Sequence, residues 1–136
     1  MSKELEDRLA VQDVMLHYAS TVDEKNYAGY KALFAEDVVV VGMGGEDMHG
    51  IEEYYPWWKE ALDKYANTQH MLSPTFAIIE EDMAYTRTDV QALHFFPGDS
   101  ETTMIFWGTY KTDMRRIDGV WKISRHELIA RGLKQS

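Results

Sequence analysis

The apolar residues of this chain change their prevailing period at Asn67 and do not change back. Up to that point they recur mainly at steps of three and four, with one short β-branched run between; beyond it they alternate. A chain divided in this way places helices first and a long antiparallel meander after them, which is an α+β layout. The sheet buries its inner face by curving around the helices. A strongly curved sheet closed at one end by helices makes a cone, and a cone encloses a pocket.

The helical part begins with a stripe. Val11, Val14, Met15, Tyr18, Ala19 and Val22 share one face of a first helix over about residues 3–23, with Ser2 as its N-cap before an acidic first turn. Asp23 stands where the stripe gives way to Glu24, Lys25 and Asn26, so its carboxylate lies at the edge of a buried face. Asn26 breaks the pattern, and a short second helix turns Tyr30, Leu33 and Phe34 inward. Val38 to Val41 is a β-branched run and reads as a short strand; Gly42, Gly44, Gly45 and Gly50 mark a loop after it. Ile51, Tyr54, Tyr55, Trp58, Leu62 and Tyr65 then return to helical spacing, with Pro56 in the first turn of that helix or at a kink.

The meander reads as four strands, over residues 69–79, 83–96, about 102–116 and 120–130, followed by a short polar tail. Glu80-Glu81-Asp82 and Pro97-Gly98-Asp99-Ser100 are turns between them, and Asp118-Gly119 is a strong hairpin signal.

Composition narrows the function. At 136 residues, the expectation is one domain over 1–136 with a core of its own. A net charge of −9 with no basic patch argues against nucleic acid. With no cysteine, disulfides, thiolate metal sites and a Cys nucleophile are excluded. The five histidines show no HExxH or similar spacing, so no metal and no cofactor is expected. The polar, acidic start MSKELEDRLA does not read as a signal peptide, and no apolar run approaches the ~20 residues that span a bilayer, so a cytoplasmic protein without a membrane partner is expected. The aromatic set of 4 Trp, 8 Tyr and 5 Phe is large enough to line a pocket as well as fill a core.

Several segments, in order, carry a resemblance that covers nearly the whole chain: RLAVQDVMLHYASTVDEKNY, KALFAEDV, MHGIEEYY, NTQHMLSP and GTYKTDMRRIDGVWKI. Together they are similar to the SnoaL-like branch of the NTF2-like cone fold, in which a curved, mostly antiparallel sheet wraps around N-terminal helices. Within it the pattern most resembles scytalone dehydratase, hexachlorocyclohexane dehydrochlorinase and bile acid 7α-dehydratase. All three are cofactor-free lyases that use an Asp–His pair. The positions that match the pair are Asp23, in TVDEKNY, and His70, in NTQHML.

The resemblance implies that His70 is a general base and that Asp23 orients its ring and stabilises the imidazolium. The competing reading is a surface histidine and a helix-ending aspartate that never meet. Tyr18 matches a polar pocket residue of the dehydrochlorinase and bile acid enzymes, against its plain reading as a core tyrosine. Phe106 and Tyr110 match pocket positions of the same relatives. On the second strand, comparison with the dehydratases turns the odd-numbered set inward, which makes Asp89 and Gln91 cavity groups and turns His94 outward; a bulge would reverse this. Arg125 and His126 are neighbours and point opposite ways. Likeness to the dehydrochlorinase favours His126 inward, while alternation with Trp121 and Ile123 favours Arg125. His17 and His49 read as surface or loop residues. One departure is clear: scytalone dehydratase carries tyrosines where this chain has Val22 and the Val41-Gly42 region, which puts that enzyme's tyrosine arrangement and its substrate in doubt.

The expected function is a lyase or isomerase in which His70 removes a proton from a small hydrophobic, cyclic substrate. Two alternatives stand beside it: a polyketide or terpenoid cyclase or epoxide-opening enzyme on the same fold, and a non-catalytic subunit like the small subunit of ring-hydroxylating dioxygenases. Relatives with this fold are dimers or trimers, so a homo-oligomer is expected.

Overall fold

Helix α1 spans Lys3–Asp23, and its start and stop are both written locally. The Ser2 hydroxyl accepts from Leu5 N at 3.2 Å, and the helix ends in Glu24 and the left-handed Lys25 (φ 52°). Its buried residues are Asp7, Val11, Val14, Met15, Tyr18, Thr21 and Val22, which trace the stripe. Asp7 is buried because Arg116 meets it at 2.6 Å, with the guanidinium also lying over the Trp121 ring. These features belong to a computed structural model that describes residues 2–98 and 101–136.

Helix α2 covers only Tyr27–Lys31, capped by the Asn26 side chain on Gly29 N. Phe34, expected on this helix, instead opens strand β1 (Phe34–Val41), which is longer than the Val38–Val41 run suggested. It still reaches the Tyr30 ring, 4.9 Å away between centroids, because the strand starts beside the helix end. After the glycine loop, β2 (Met48–His49) precedes α3 (Ile51–Leu62). Pro56 lies in the second turn of α3, and the helix continues past it.

Five strands follow: β3 (Asn67–Leu72), β4 (Phe76–Glu80), β5 (Met83–Phe95), β6 (Thr103–Ile117) and β7 (Val120–Gln135). The sheet order is β2-β1-β7-β6-β5-β3, with β4 also paired to β5. The pairings are antiparallel except β1 with β7, so the curved, unclosed sheet is mixed. The single strand expected over 69–79 is two strands, β3 and β4. Pro74 has no N–H to give a ladder, and the Ser73 hydroxyl accepts from Asp89 N at 2.8 Å in the gap. At the β6–β7 turn Asp118 (φ 51°) and Gly119 (φ 80°) are both left-handed, the tight hairpin expected of that pair. Strand β7 runs to Gln135, five residues beyond the expected end, because Met104 to Trp107 continue to pair with it. Of the turn at Pro97–Ser100, Asp99 and Ser100 lie outside the described residues. Among the described residues no helix is long and apolar enough to cross a membrane.

Two irregularities in β7 decide which side chains face inward. Asp113 pairs with Arg125 and Met114 with Ile123, so Ser124 is an extra residue; Trp107 pairs with Gly132 and Gly108 with Ala130, so Arg131 is another. Each extra residue is a β-bulge and changes the phase of alternation. The buried inner face of the sheet includes Ala84, Thr86, Thr88, Val90, Ala92, Tyr110, Thr112, Met114, Trp121, Ile123 and His126.

Candidate active site

Asp23 is the last residue of α1 and His70 lies in β3, which packs against that helix. Three donors converge on the carboxylate. His70 Nδ1 is 2.7 Å from Oδ1, the His70 backbone N–H donates to Oδ2 at 2.8 Å, and the Thr68 hydroxyl donates to Oδ1 at 2.9 Å. Burial alone would raise the pKa of Asp23, but the His70 and Thr68 hydrogen bonds outweigh it and hold the carboxyl below its usual value. An ionised carboxylate only accepts, so Nδ1 carries the proton and Nε2 is left with a bare lone pair. The geometry yields an imidazole base with a fixed tautomer.

His70 lies on the wall of a cavity of about 430 Å³. Helix α1 contributes Tyr18 and Val22 to that wall; α3 contributes Tyr54, Trp57, Trp58 and Ala61. Tyr65 lies in the connection after α3; Ala92, His94, Met104, Phe106, Tyr110, Leu128 and Ala130 line the sheet side, and Gly42, Met43 and Gly44 the loop. None of these residues is Lys, Arg, Asp or Glu. Gly42 is required where it is: its φ is +84°, and a Cβ there would meet the Leu128 carbonyl oxygen. Burial pushes the phenols of Tyr18 and Tyr110 up, with Tyr54 adding to the effect on Tyr18 and Tyr18 to that on Tyr110, so both stay protonated hydrogen-bond donors. Among the described residues no group of three or more His, Asp or Glu is arranged to hold a metal ion.

The structure brings His70, Tyr18, Phe106 and Tyr110 together at this cavity, ties Asp23 to His70, and keeps four other candidates away from the wall. Asp89 and Gln91 face outward, a correction to the inward placement of the odd-numbered set of β5. The β5–β6 register is continuous from Met83 to Phe95, and the small, uncharged even set (Ala84, Thr86, Thr88, Val90, Ala92) is the buried one. Asp89 is 54% exposed, bonded to Thr109 and Arg87. By the same alternation His94 turns into the cavity rather than away from it, its ring 6.0 Å from that of His70. Burial, with His70 nearby, pushes the His94 pKa down, so it is neutral at neutral pH.

The choice between Arg125 and His126 is made by the bulge. Because Ser124 is extra, the inner series runs Trp121, Ile123, His126, and Arg125 turns out to pair with Glu127 at 3.1 Å. Arg125 is therefore no cavity group. His126 is inward but stands behind the wall rather than on it: it is fully buried, with Nε2 2.9 Å from the Tyr18 hydroxyl and Nδ1 2.8 Å from the Thr112 hydroxyl. Burial pushes its pKa down to about 3, so it is neutral. Direct substrate contact by His126 is corrected accordingly.

Residues that sequence reasoning did not assign to the site include His94, Tyr54, Trp57, Trp58, Ala61, Tyr65 and Met104. The signal for the helical ones was visible. Tyr54, Trp57, Trp58, Ala61 and Tyr65 recur at steps of one, three and four, an aromatic face wider than core packing alone requires.

With the geometry in place, comparisons with known proteins locate the chain. A candidate scytalone dehydratase from Novosphingobium aromaticivorans DSM 12444 superposes with a TM-score of 0.88 at 25% identity, covering 96% of this chain and 88% of that one. A hexachlorocyclohexane dehydrochlorinase superposes with a TM-score of 0.87 at 20% identity, covering 98% and 90%. A candidate dehydratase of the NTF2-like family from Streptomyces avermitilis gives 0.84 at 13% identity, covering 96% and 99%. The last two likenesses speak for the fold alone, which is NTF2-like. The SnoaL-like domain family matches residues 3–127, and the chain belongs to that family.

Proposed function

We propose that this protein is a cofactor-independent lyase of the dehydratase type, acting on a small, hydrophobic, cyclic molecule. The observation that carries the reading is the His70 imidazole, tied through Nδ1 to Asp23 at 2.7 Å on the wall of an aromatic cavity. The names dehydratase and dehydrochlorinase carried by two structural relatives support elimination as the reaction class.

In this reading, Nε2 of His70 takes a proton from the carbon next to a carbonyl group, and Asp23 stabilises the imidazolium that forms. The carbonyl oxygen gains negative charge and meets protonated phenols, Tyr18 and Tyr110, in a site with little water. The electron pair then closes a carbon–carbon double bond as hydroxide leaves the neighbouring carbon. The proton held by His70 passes to that hydroxide, and water departs. No Lys or Arg lines the cavity, so among the described lining residues the departing group meets only the His70 imidazolium, whose proton hydroxide takes far more readily than a halide does. This favours water over halide as the leaving group.

The test is proton abstraction itself. Cyclic β-hydroxy ketones incubated with the protein in deuterated water should exchange their α-proton and form a conjugated enone, followed by absorbance. His70→Ala should do neither. Equal exchange by wild type and His70→Ala would remove the base from the mechanism.

Assembly belongs to the same proposal. Met71, Phe76, Ile78 and Tyr85 are exposed on the outer face of β3, β4 and β5, and a second or third copy of the chain would cover them. Sedimentation should give a dimer or trimer that Phe76→Glu weakens; a monomer at high micromolar concentration would exclude this.

A further inference from the structure

The proposed mechanism uses the Tyr18 hydroxyl as a donor, and a phenol has one proton. If that proton is given to a neighbouring acceptor, the oxygen offers the cavity only lone pairs. The partner that decides this is His126, with Nε2 2.9 Å from the phenol oxygen. A neutral imidazole is donor at one nitrogen and acceptor at the other, so the answer lies at the far side of the ring.

There, Nδ1 faces the Thr112 hydroxyl at 2.8 Å. Thr112 and His126 are cross-strand partners in β6 and β7, and both are fully buried. Nδ1 is the only hydrogen-bond partner of the Thr112 hydroxyl among the described residues. If Nδ1 carried the proton, the Thr112 hydroxyl would accept and its own proton would have no acceptor, a buried donor left unmade. If Thr112 donates instead, Nδ1 is bare and Nε2 is protonated. The two hydroxyls differ in what else they can reach: Tyr18 lines the cavity, where its proton meets an acceptor, and Thr112 does not line it, which favours the second arrangement.

We propose that His126 is a positioning residue: Thr112 donates to its Nδ1, its Nε2–H donates to the Tyr18 oxygen, and the Tyr18 proton is thereby turned to an oxygen acceptor in the cavity. The role rests on the reading above in one respect, that the cavity takes a ligand with a carbonyl oxygen. The chain of donors stands without it. The ligand class it selects is a neutral cyclic ketone rather than a hydrocarbon of the same shape. His126 touches no substrate and acts through Tyr18 alone.

Two measurements test this. Nitrogen-15 NMR of the intact protein should show His126 Nδ1 as an unprotonated ring nitrogen and Nε2 as a protonated one at neutral pH; the reverse tautomer overturns the proposal. Binding of 2-tetralone and of its hydrocarbon, tetralin, supplies the second. Tyr18→Phe should weaken 2-tetralone by about tenfold and leave tetralin unchanged. Thr112→Val frees the ring to take the other tautomer, in which the phenol proton goes to Nε2, and should give an intermediate loss for the ketone alone. Equal weakening of both compounds by Thr112→Val, or no weakening of the ketone by either variant, overturns the proposal. Failure of α-proton exchange with a correct His126 tautomer would count against the lyase reading and not against this one.

Discussion

His70 and His126 are two imidazoles in the same cone, and their surroundings assign them opposite work. His70 has a carboxylate on one nitrogen and the cavity at the other. His126 has a hydroxyl at each nitrogen and no exposure at all. A carboxylate stabilises the imidazolium, so His70 can gain a proton in place. Two neutral hydroxyls in a dry setting do not, which is why His126 is held neutral down to about pH 3. One charged partner and one open nitrogen leave an imidazole able to act as the proposed base; two hydroxyl partners in a closed setting hold it neutral.

The comparison is most sharply broken at His70. His70→Ala should lower kcat by roughly a thousandfold, the scale of general base catalysis, and abolish α-proton exchange. Asp23→Asn should cost about a hundredfold, because the amide neither stabilises the imidazolium nor fixes the tautomer. Its effect on stability has a definite sign. The folded pKa of Asp23 is lowered, so its contribution is present above the ordinary carboxylate range and is lost as pH falls through the folded value. Denaturation curves of wild type and Asp23→Asn should converge in strong acid.

For His126 the sign is set by a neutral folded state. Between the ordinary histidine pKa of ~6.5 and the folded value, the unfolded chain binds the extra proton, so stability rises with pH across that window. On going from pH 7 to pH 5 this residue should remove about 2 kcal/mol from wild type. Urea denaturation should show His126→Gln with a correspondingly flatter pH dependence. An equal slope in both proteins would mean that His126 is already charged or solvated. The smallest effects belong to the outward residues. Asp89→Asn, Gln91→Ala and Arg125→Ala should each change turnover by no more than about twofold and stability by about 0.5 kcal/mol.

Much of the fold was legible because its signals are local. The Ser2 cap, the stripe ending at Asp23 and the Asp118-Gly119 turn each depend on a handful of adjacent residues. Pro74 was a local signal too, and reading one strand through it missed the break between β3 and β4. The faces of β5 and β7 were not legible in the same way. Which residue of a strand is extra depends on the partner strand, so the inward turn of His126 and the outward turn of Arg125 follow from β6 rather than from β7 itself. The approach of Asp23 to His70, 47 residues apart, came from resemblance to a family and from no spacing rule.

Ser124 invites a mistaken conclusion. Paired in ordinary alternation, it would put every later residue of β7 out of step and send Arg125 into the core; bulged, it restores the phase. It follows that β7 could lose this residue altogether and His126 would still face Tyr18, since an absent insertion needs no correction. What would go is the bend that a bulge puts into a strand. The residue that looks like a guardian of side-chain identity is thus a setting of curvature. A sheet of this kind can change its bend by gaining or losing a bulged residue while the inward series Trp121, Ile123, His126 keeps its order.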